Sequence, residues 1–364
     1  MRLARGWIAV ALVVPLALLA AGCGSSSSGG GGTSSGGSTN ESSTGNTASV
    51  TYRGLETGLP RSVPKPASAP LKIAILSPLE ANEAVHFRTA SAQAEVEKLG
   101  GSATIYDAKI SPETQVTQLE QAIGSGAEAI VMEAVDPHAL APVLKRAEAA
   151  KIPVVGIDEN LNGVSPGQGF ASQVLIGRDL MAYDQAKVAA GLLPAGGKIA
   201  VIGFAHPVPQ LERMVEKEKE WSERFGLEVL GEAQNPTDEI AGGEKAMTQL
   251  ISEYPQMEGV IAYNDNSAVG AAAAARTAGK SGLVLIGNNG EEVGLQAVAA
   301  GKISATVQVD DLETGKLAAW EAYDLVQGKP VPKAVLAGEP VAVTEENVGT
   351  AESWSEQMQK RYGK

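Results

Sequence analysis

The chain has 364 residues, one cysteine and three histidines, and its formal net charge at pH 7 is −13. This excess of acidic residues disfavours binding to nucleic acid and to anionic lipid surfaces. The single cysteine excludes an internal disulfide, and three scattered histidines are too few for a histidine metal site, so we expect neither a metal nor another cofactor.

The N-terminus has the pattern of a secretory signal. Arg2 and Arg5 precede an uncharged apolar run over residues 7–21, which is short for a membrane span, and small residues follow. Cys23 comes directly after them, which resembles the lipobox of bacterial lipoproteins, although Ala20 stands where leucine is commoner. The resemblance implies a signal peptide over residues 1–22 and a lipidated Cys23 that attaches the chain to the extracytoplasmic side of a membrane.

A low-complexity segment follows the cysteine. Residues 24 to about 50 are almost wholly Gly, Ser, Thr and Asn, and prolines punctuate the chain as far as Pro70. Such a segment cannot bury enough apolar surface to offset the entropy lost on ordering. We therefore predict a flexible tether over residues 23–70.

From residue 71 onward, short apolar runs alternate with Ala-, Glu- and Lys-rich segments of helical spacing. The runs at 71–77, 129–133 and 152–157 are almost continuously apolar, which is typical of strands covered on both faces of a parallel sheet. Helices are predicted between the runs, and Asp136-Pro137 and Thr237-Asp238 are interpreted as helix starts. The predicted fold class is α/β, with doubly wound parallel sheets divided into two domains.

Sheets of this kind bind ligands at the carboxyl ends of their strands. Polar residues follow most of the predicted strands, among them Ser77, Asp158 and Asn264. Such residues suit a polyhydroxylated or charged small ligand. No nucleophile and base occur together in a recognisable pattern, so we expect a binding protein and not an enzyme.

Five segments, in this order and spacing, resemble type I periplasmic solute-binding proteins, above all the ribose-binding and autoinducer-2-binding branches. They are residues 73–77 (IAILS), 98–100 (KLG), 152–158 (IPVVGID), 263–265 (YND) and 285–287 (LIG). The resemblance implies two lobes joined by a three-crossing hinge, with the ligand held in the cleft between them. It assigns residues 71–177 and 310–338 to the N-terminal lobe, and residues 178–309 and 339–364 to the C-terminal lobe.

The resemblance also implies roles for individual residues. Asp158, Asn264 and Arg213 match positions that hydrogen-bond sugar hydroxyls in the family. Ser77 and Asn82 match the polar start of the first loop, and Phe87 is the candidate aromatic cover for a sugar face. The other candidate ligand-binding residues are Arg178, Asn289, Gln308 and Asp310; either Gln308 or Asp310 faces the cleft, because the glutamine is one place off the family pattern.

Several charged residues depart from the family pattern. Glu133 stands where an amide is usual and Glu159 where an arginine is common, while Arg178 and Arg213 fall on the other lobe. Buried charges need partners. Either these groups pair across the cleft when it closes, or the ligand itself carries charge, for example an amino group.

The sequence thus predicts a lipid-anchored solute-binding protein of an ABC import system, which closes around a sugar or polyol. Its expected partners are the small-molecule ligand, the ABC permease subunits and, through Cys23, the lipid bilayer, but not nucleic acid. The alternatives are a receptor that presents its ligand to a sensor kinase or chemoreceptor, and a binder of an amino-bearing or otherwise charged sugar-like ligand.

Overall fold

The structure is a computed structural model, and it describes residues 56–57, 62–158 and 169–364. The predicted signal peptide, Cys23, most of the predicted tether and Glu159 lie outside the described residues.

Strands and helices alternate along the described chain, as predicted. The strands are β1 (Glu56–Thr57), β2 (Lys72–Ser77), β3 (Ser102–Asp107), β4 (Ala129–Met132), β5 (Val154–Ile157), β6 (Ser172–Leu175), β7 (Lys198–Phe204), β8 (Glu228–Asn235), β9 (Gly259–Ala262), β10 (Val284–Ile286), β11 (Ala305–Gln308), β12 (Val335–Leu336) and β13 (Val341–Thr344). The helices are α1 (Glu83–Lys98), α2 (Pro112–Gly124), α3 (Pro137–Ala149), α4 (Arg178–Leu192), α5 (Pro209–Arg224), α6 (Ile240–Glu253), α7 (Asp265–Thr277), α8 (Glu292–Ala299), α9 (Asp311–Val326) and α10 (Trp354–Tyr362). None of the helices in these ranges is long and apolar enough to cross a bilayer.

The strands form two sheets, which define two lobes. The N-terminal lobe has the parallel order β1-β12-β6-β5-β4-β2-β3, and the C-terminal lobe has the order β13-β11-β10-β9-β7-β8, in which β13 is antiparallel to β11. Consecutive residues of a strand point to opposite sides of its sheet, so a strand whose successive residues are all buried is covered on both faces. In β2, Ile73 and Ile75 pack in the core that includes α1 and α9, whereas Ala74 and Leu76 pack in the core that includes α2 and α3.

The chain crosses between the lobes at three connections near the hinge, after β6, after β11 and after β12. It then crosses a fourth time, within residues 339–364, which were predicted to belong to the C-terminal lobe. Strand β13 does pair in the C-terminal sheet. Helix α10, however, packs on the N-terminal lobe: the Trp354 ring is fully buried in its core, and its Nε1 donates to the carbonyl of Val309 at 3.1 Å.

Candidate functional site

A cavity lies between the lobes, where the carboxyl ends of the parallel strands of both sheets face each other. It holds about 610 Å³ of empty space, part of it open to solvent. The N-terminal lobe contributes Pro78, Leu79, Asn82, Ala84, Val85, Arg88, Ile110, Glu133 and Ala134, and the C-terminal lobe contributes Arg178, Phe204, Val208, Gln210, Leu211, Asp238, Tyr263, Asn264 and Asn289. The position is the one at which sheets of this type bind small ligands.

Five buried charged residues form a continuous row beside the cavity, which we call the ionic chain. Arg88 donates from Nε to Asp311 at 2.8 Å and from Nη1 to Glu133. Arg178 donates from Nε to Asp158, and its Nη2 lies 3.7 Å from Glu133. The charges along the ionic chain therefore alternate in sign, and each carboxylate in it contacts an arginine. This is the arrangement that makes buried charges tolerable.

The ionic chain links the cavity to the hinge. Arg178 is the first residue of α4 and Asp311 is the first residue of α9, so each begins the helix that follows a crossing between the lobes. Arg88, Glu133 and Arg178 also line the cavity. A ligand that contacts these side chains therefore acts directly on groups that fix the relative position of the two lobes.

The lobes contact each other across the cavity, so the structure is in a closed arrangement. The Asn82 Nδ2 donates to Asp238 at 2.8 Å, and the backbone N–H of Glu292 donates to the Glu83 carboxylate at 3.1 Å. Asn82 also caps α1, because its Oδ1 accepts from the backbone N–H of Val85 at 3.1 Å. One side chain thus both begins a helix and bridges the lobes.

Asp238 is the carboxylate of the C-terminal wall. Its oxygens accept from the Tyr263 hydroxyl at 2.5 Å, from the Asn264 Nδ2 at 2.8 Å and from Asn82 across the cleft. Burial raises the pKa of this carboxyl, while the hydrogen bonds from Tyr263 and Asn82 oppose the rise. Each of these donors is neutral.

Two more buried carboxyls lie behind this wall. Asp265 accepts from the backbone N–H groups of Gly290 and Glu291, at 2.9 and 2.8 Å. Glu291 is fully buried, and its Oε1 lies 3.3 Å from the Asn289 Nδ2. Burial raises the pKa of Asp265 to about 7, and burial with the charges of Asp265 and Asp238 raises the pKa of Glu291 well above its ordinary value.

The backbone is strained where the cavity is built. Ile110, Asp158, Asp238 and Asn289 have φ values of 60°, 57°, 62° and 92°, in the left-handed region that residues other than glycine seldom adopt. Three of them line the cavity and Asp158 contacts Arg178, which lines it. Such strain concentrates at functional sites, where the surrounding structure holds it in place.

The structure brings several of the predicted residues to the cleft. Asn82, Arg178, Asn264 and Asn289 line the cavity. Asp158 lies next to it and contacts Arg178. Ser77 ends β2 beside the cavity, but it is fully buried and its hydroxyl makes no hydrogen bond with the described residues. The binding roles given to these residues stay predictions.

Four predicted residues are not among those that line the cavity, and their binding roles stay predictions. The Phe87 ring packs against the N-terminal core, 6.2 Å from the Trp354 ring. Arg213 donates two hydrogen bonds to the carboxylate of Asp179 in its own lobe, from Nε at 3.1 Å and from Nη2 at 2.7 Å. Gln308 donates to the Glu352 carbonyl at 2.9 Å, and Asp310 caps α9 by accepting from the backbone N–H of Glu313 at 2.8 Å. Both side chains thus make contacts in local structure near the third crossing.

Sequence reasoning missed Arg88, Gln210 and Asp238 as cavity residues. Asp238 was interpreted as a helix start, but α6 has Glu239 at its N-cap, so the Asp238 side chain is available to the cavity. Gln115 was also missed: it donates to the Glu133 carbonyl at 2.7 Å and accepts from the backbone N–H of Val135 at 2.8 Å, which fixes the loop after β4. A buried arginine inside an amphipathic segment gives no local signal, because its partners come from distant parts of the chain.

The hypothesis that charges pair across the cleft is supported for one of the two arginines. Arg178 pairs with Asp158 and lies near Glu133, both on the opposite lobe. Glu80, an acid of the loop after β2, contacts His86 and Thr89 of its own lobe instead of a residue across the cleft.

Replacing Arg88 with methionine should strongly destabilise the protein. The substitution leaves Asp311 and Glu133 buried without their cation, and breaking a buried ion pair in this way costs about 3–5 kcal/mol. Arg146→Met is the matched control, since Arg146 pairs with Glu120 on the surface and such pairs contribute about 1 kcal/mol or less. Urea unfolding measures both losses, and equal losses would contradict the importance of the ionic chain.

The buried carboxyl of Asp265 should make stability depend on pH. Its folded pKa of about 7 lies above the ordinary aspartate value of about 3.9, so the folded state holds a proton that the unfolded state releases between these values. The free energy of unfolding should therefore rise as pH falls from about 7 to about 4, by up to about 1.4 kcal/mol per pH unit. Asp265→Asn should remove this gain. Urea unfolding of both proteins at about pH 5 and about pH 8 measures it, and a pH-independent difference between them would contradict the prediction.

Known proteins share this architecture. The family described as "Periplasmic binding protein domain" matches residues 73–330. The ribose import binding protein RbsB of Bacillus subtilis (strain 168) is 28% identical over 244 residues, which cover 67% of this chain and 77% of that protein. The xylitol-binding protein of Mycolicibacterium smegmatis is 26% identical over 249 residues, which cover 65% of this chain and 67% of that protein.

Solved structures agree with the sequence matches. An ABC transporter solute-binding protein from Mycobacterium smegmatis with bound glycerol has a TM-score of 0.70 at 27% identity, and the match covers 78% of this chain and 98% of that one. A periplasmic solute-binding protein from Actinobacillus succinogenes with bound D-allose has a TM-score of 0.70 at 21% identity, covering 77% and 100%, and it shares the fold. The predicted fold class and the family resemblance are both confirmed: this chain belongs to the type I periplasmic binding protein family.

Proposed function

We propose that the protein is the solute-binding component of an ABC import system and that it binds a sugar or polyol between its lobes. The observation that carries the proposal is the cavity itself, in which donors and acceptors from both lobes converge. Asn82 and Arg88 face it from the N-terminal lobe, and Gln210, Asp238 and Asn264 face it from the C-terminal lobe. The names of two relatives given above, a ribose import binding protein and a xylitol-binding protein, support the solute class.

The lining favours polar recognition over stacking. Phe204 and Tyr263 are the aromatic residues of the described lining, and they stack on each other at 5.4 Å on the C-terminal wall. The N-terminal wall places charged groups opposite them. Hydrogen bonds to charged groups are shorter and stronger than neutral ones, so Arg88, Arg178 and Asp238 would orient a ligand that presents several hydroxyls.

Closure of the hinge is the mechanism that this geometry supports. A ligand favours the closed state only if it binds that state better than the open one. In the closed arrangement Asn82 contacts Asp238, so a ligand between the lobes meets groups that the open state would hold apart. The importer would then recognise the closed form, which makes uptake depend on an occupied cavity.

Attachment to the membrane by a lipid on Cys23 is part of the proposal. It rests on the signal pattern and on the single cysteine. A tether over residues 23–70 would hold the binding lobes near the permease.

Ligand binding should compact the protein, and weakening one contact between the lobes should weaken binding. A library of sugars and polyols is screened by calorimetry, with small-angle scattering to measure the radius of gyration. Gln210 donates to the Ala134 carbonyl across the cleft at 3.4 Å, so Gln210→Met should lower the affinity of any solute found by about two- to tenfold.

Gln249→Met is the control for this substitution. Gln249 contacts Glu253 on the exposed face of α6, so its replacement should leave affinity unchanged. If no member of the library binds and compacts the protein, the proposed function is wrong.

Cys23→Ser should release the protein from the membrane. Serine keeps the size of the side chain but removes the thiol that would carry the lipid. Fractionation of cells that express the full chain measures the change, and Ser26→Ala in the same segment is the control. A Cys23→Ser protein that stays in the membrane fraction would contradict the anchor.

A further inference from the structure

On the basis of the function proposed above, we infer that the solute carries an ammonium group, as in an amino sugar or amino polyol, and that Asp238 is the residue that selects it.

The carboxylates of the two walls have different partners. In the N-terminal wall Glu133 pairs with Arg88, and Asp158 behind it pairs with Arg178. In the C-terminal wall Asp238 has only neutral hydrogen-bond donors, which are Tyr263, Asn264 and Asn82. No lysine or arginine of the described residues forms an ion pair with Asp238, Asp265 or Glu291, whereas Asp311 and Glu133 share one arginine.

Two oxygens of this group, Asp265 Oδ1 and Glu291 Oε2, make no hydrogen bond within the described residues. Glu291 is fully buried. Its Oε1 lies 3.3 Å from the Asn289 Nδ2 and 3.5 Å from the Asn82 Nδ2, so the carboxyl sits directly behind two residues that line the cavity. A buried acceptor and a row of buried carboxyls without a cation are costly arrangements, which a positively charged ligand would relieve.

Other charged partners fit less well. In the part of the chain that the structure describes, no group of His, Cys, Asp and Glu is arranged to hold a metal ion. An anionic solute would meet Arg88 and Arg178, but three carboxylates already neutralise these two arginines. An ammonium group offers three donors to carboxylate oxygens, and the part of the C-terminal wall around Asp238 supplies such acceptors.

The raised pKa values of these carboxyls agree with the absence of a lysine or arginine partner, although the charge of His206 acts to lower the pKa of Asp238. Burial raises the pKa of Asp238, Asp265 and Glu291 alike, and Asp265 and Asp238 raise the pKa of Glu291 further. A cation next to Asp238 would act in the opposite direction on all three carboxyls, which couples its binding to their ionisation.

Calorimetry with matched pairs tests the inference. The probes are D-glucosamine and D-glucose, D-galactosamine and D-galactose, and an amino-inositol and myo-inositol, so that each pair differs by one ammonium in place of one hydroxyl. We expect at least one amine to bind about tenfold more tightly than its parent. In Asp238→Asn this ratio should fall towards one, because the variant keeps the shape of the side chain and loses its charge.

Two further variants and one independent measurement complete the test. Glu291→Gln should lower the same ratio without altering the cavity lining, which keeps the test valid if Asp238→Asn does not fold. Asp324→Asn, at the far end of α9 where Asp324 pairs with Lys329, should leave the ratio unchanged.

Mass spectrometry identifies the solute that copurifies with the full-length protein from its own cells, and an amine is expected.

The outcomes separate this inference from the proposed function. If neutral parents bind and compact the protein as well as the amines do, or if the ratio is the same in both Asp238→Asn and Glu291→Gln, the inference fails and the proposed function stands. A copurified solute without an amine would likewise contradict the inference and leave the proposed function standing. If no probe of either kind binds and no solute copurifies, both fail.

Discussion

The rest of the cleft depends on the need to neutralise a buried guanidinium. Arg88 projects from α1 into the interior, where a single uncompensated charge would be prohibitively costly. Two acids from distant parts of the chain neutralise it: Asp311 at the start of α9 and Glu133 after β4. Glu133 is then close to Arg178, which brings in Asp158. The position of the second lobe thus follows from charge pairing that begins in the first.

The parallel sheets determine where such a network can form. Carboxyl ends of parallel strands meet at one edge of each sheet, and the backbone there has free polar groups and room for side chains. Two sheets that face each other by these edges enclose a polar cavity. The interior of each lobe can then stay apolar and closely packed, as in the alternating burial along β2.

Much of this arrangement could be predicted from the sequence, because periodicity and strand ends are local signals. Asn264 follows an apolar run and does line the cavity. Asp238 could not be assigned in the same way, since an aspartate before a helix is equally typical of a cap, and only the tertiary structure distinguishes the two uses. The side of α1 on which Phe87 lies could not be predicted, because one position along a helix rotates a side chain by about 100°. The packing of the final helix could not be predicted either, because its partners, in α1 and α9, are far away in the chain.

The return of that final helix has a consequence for how the protein can move. The chain enters the N-terminal lobe before β2, and α10 ends on the same lobe, where Arg361 donates to Asp310 at 2.9 Å. Both ends of the described core therefore leave from one rigid body. Anything attached at either end would restrain that body and leave the other free to rotate. Opening and closing would then be a swing of the C-terminal lobe against a stationary base, and the segment between β13 and α10 would have to bend with every cycle.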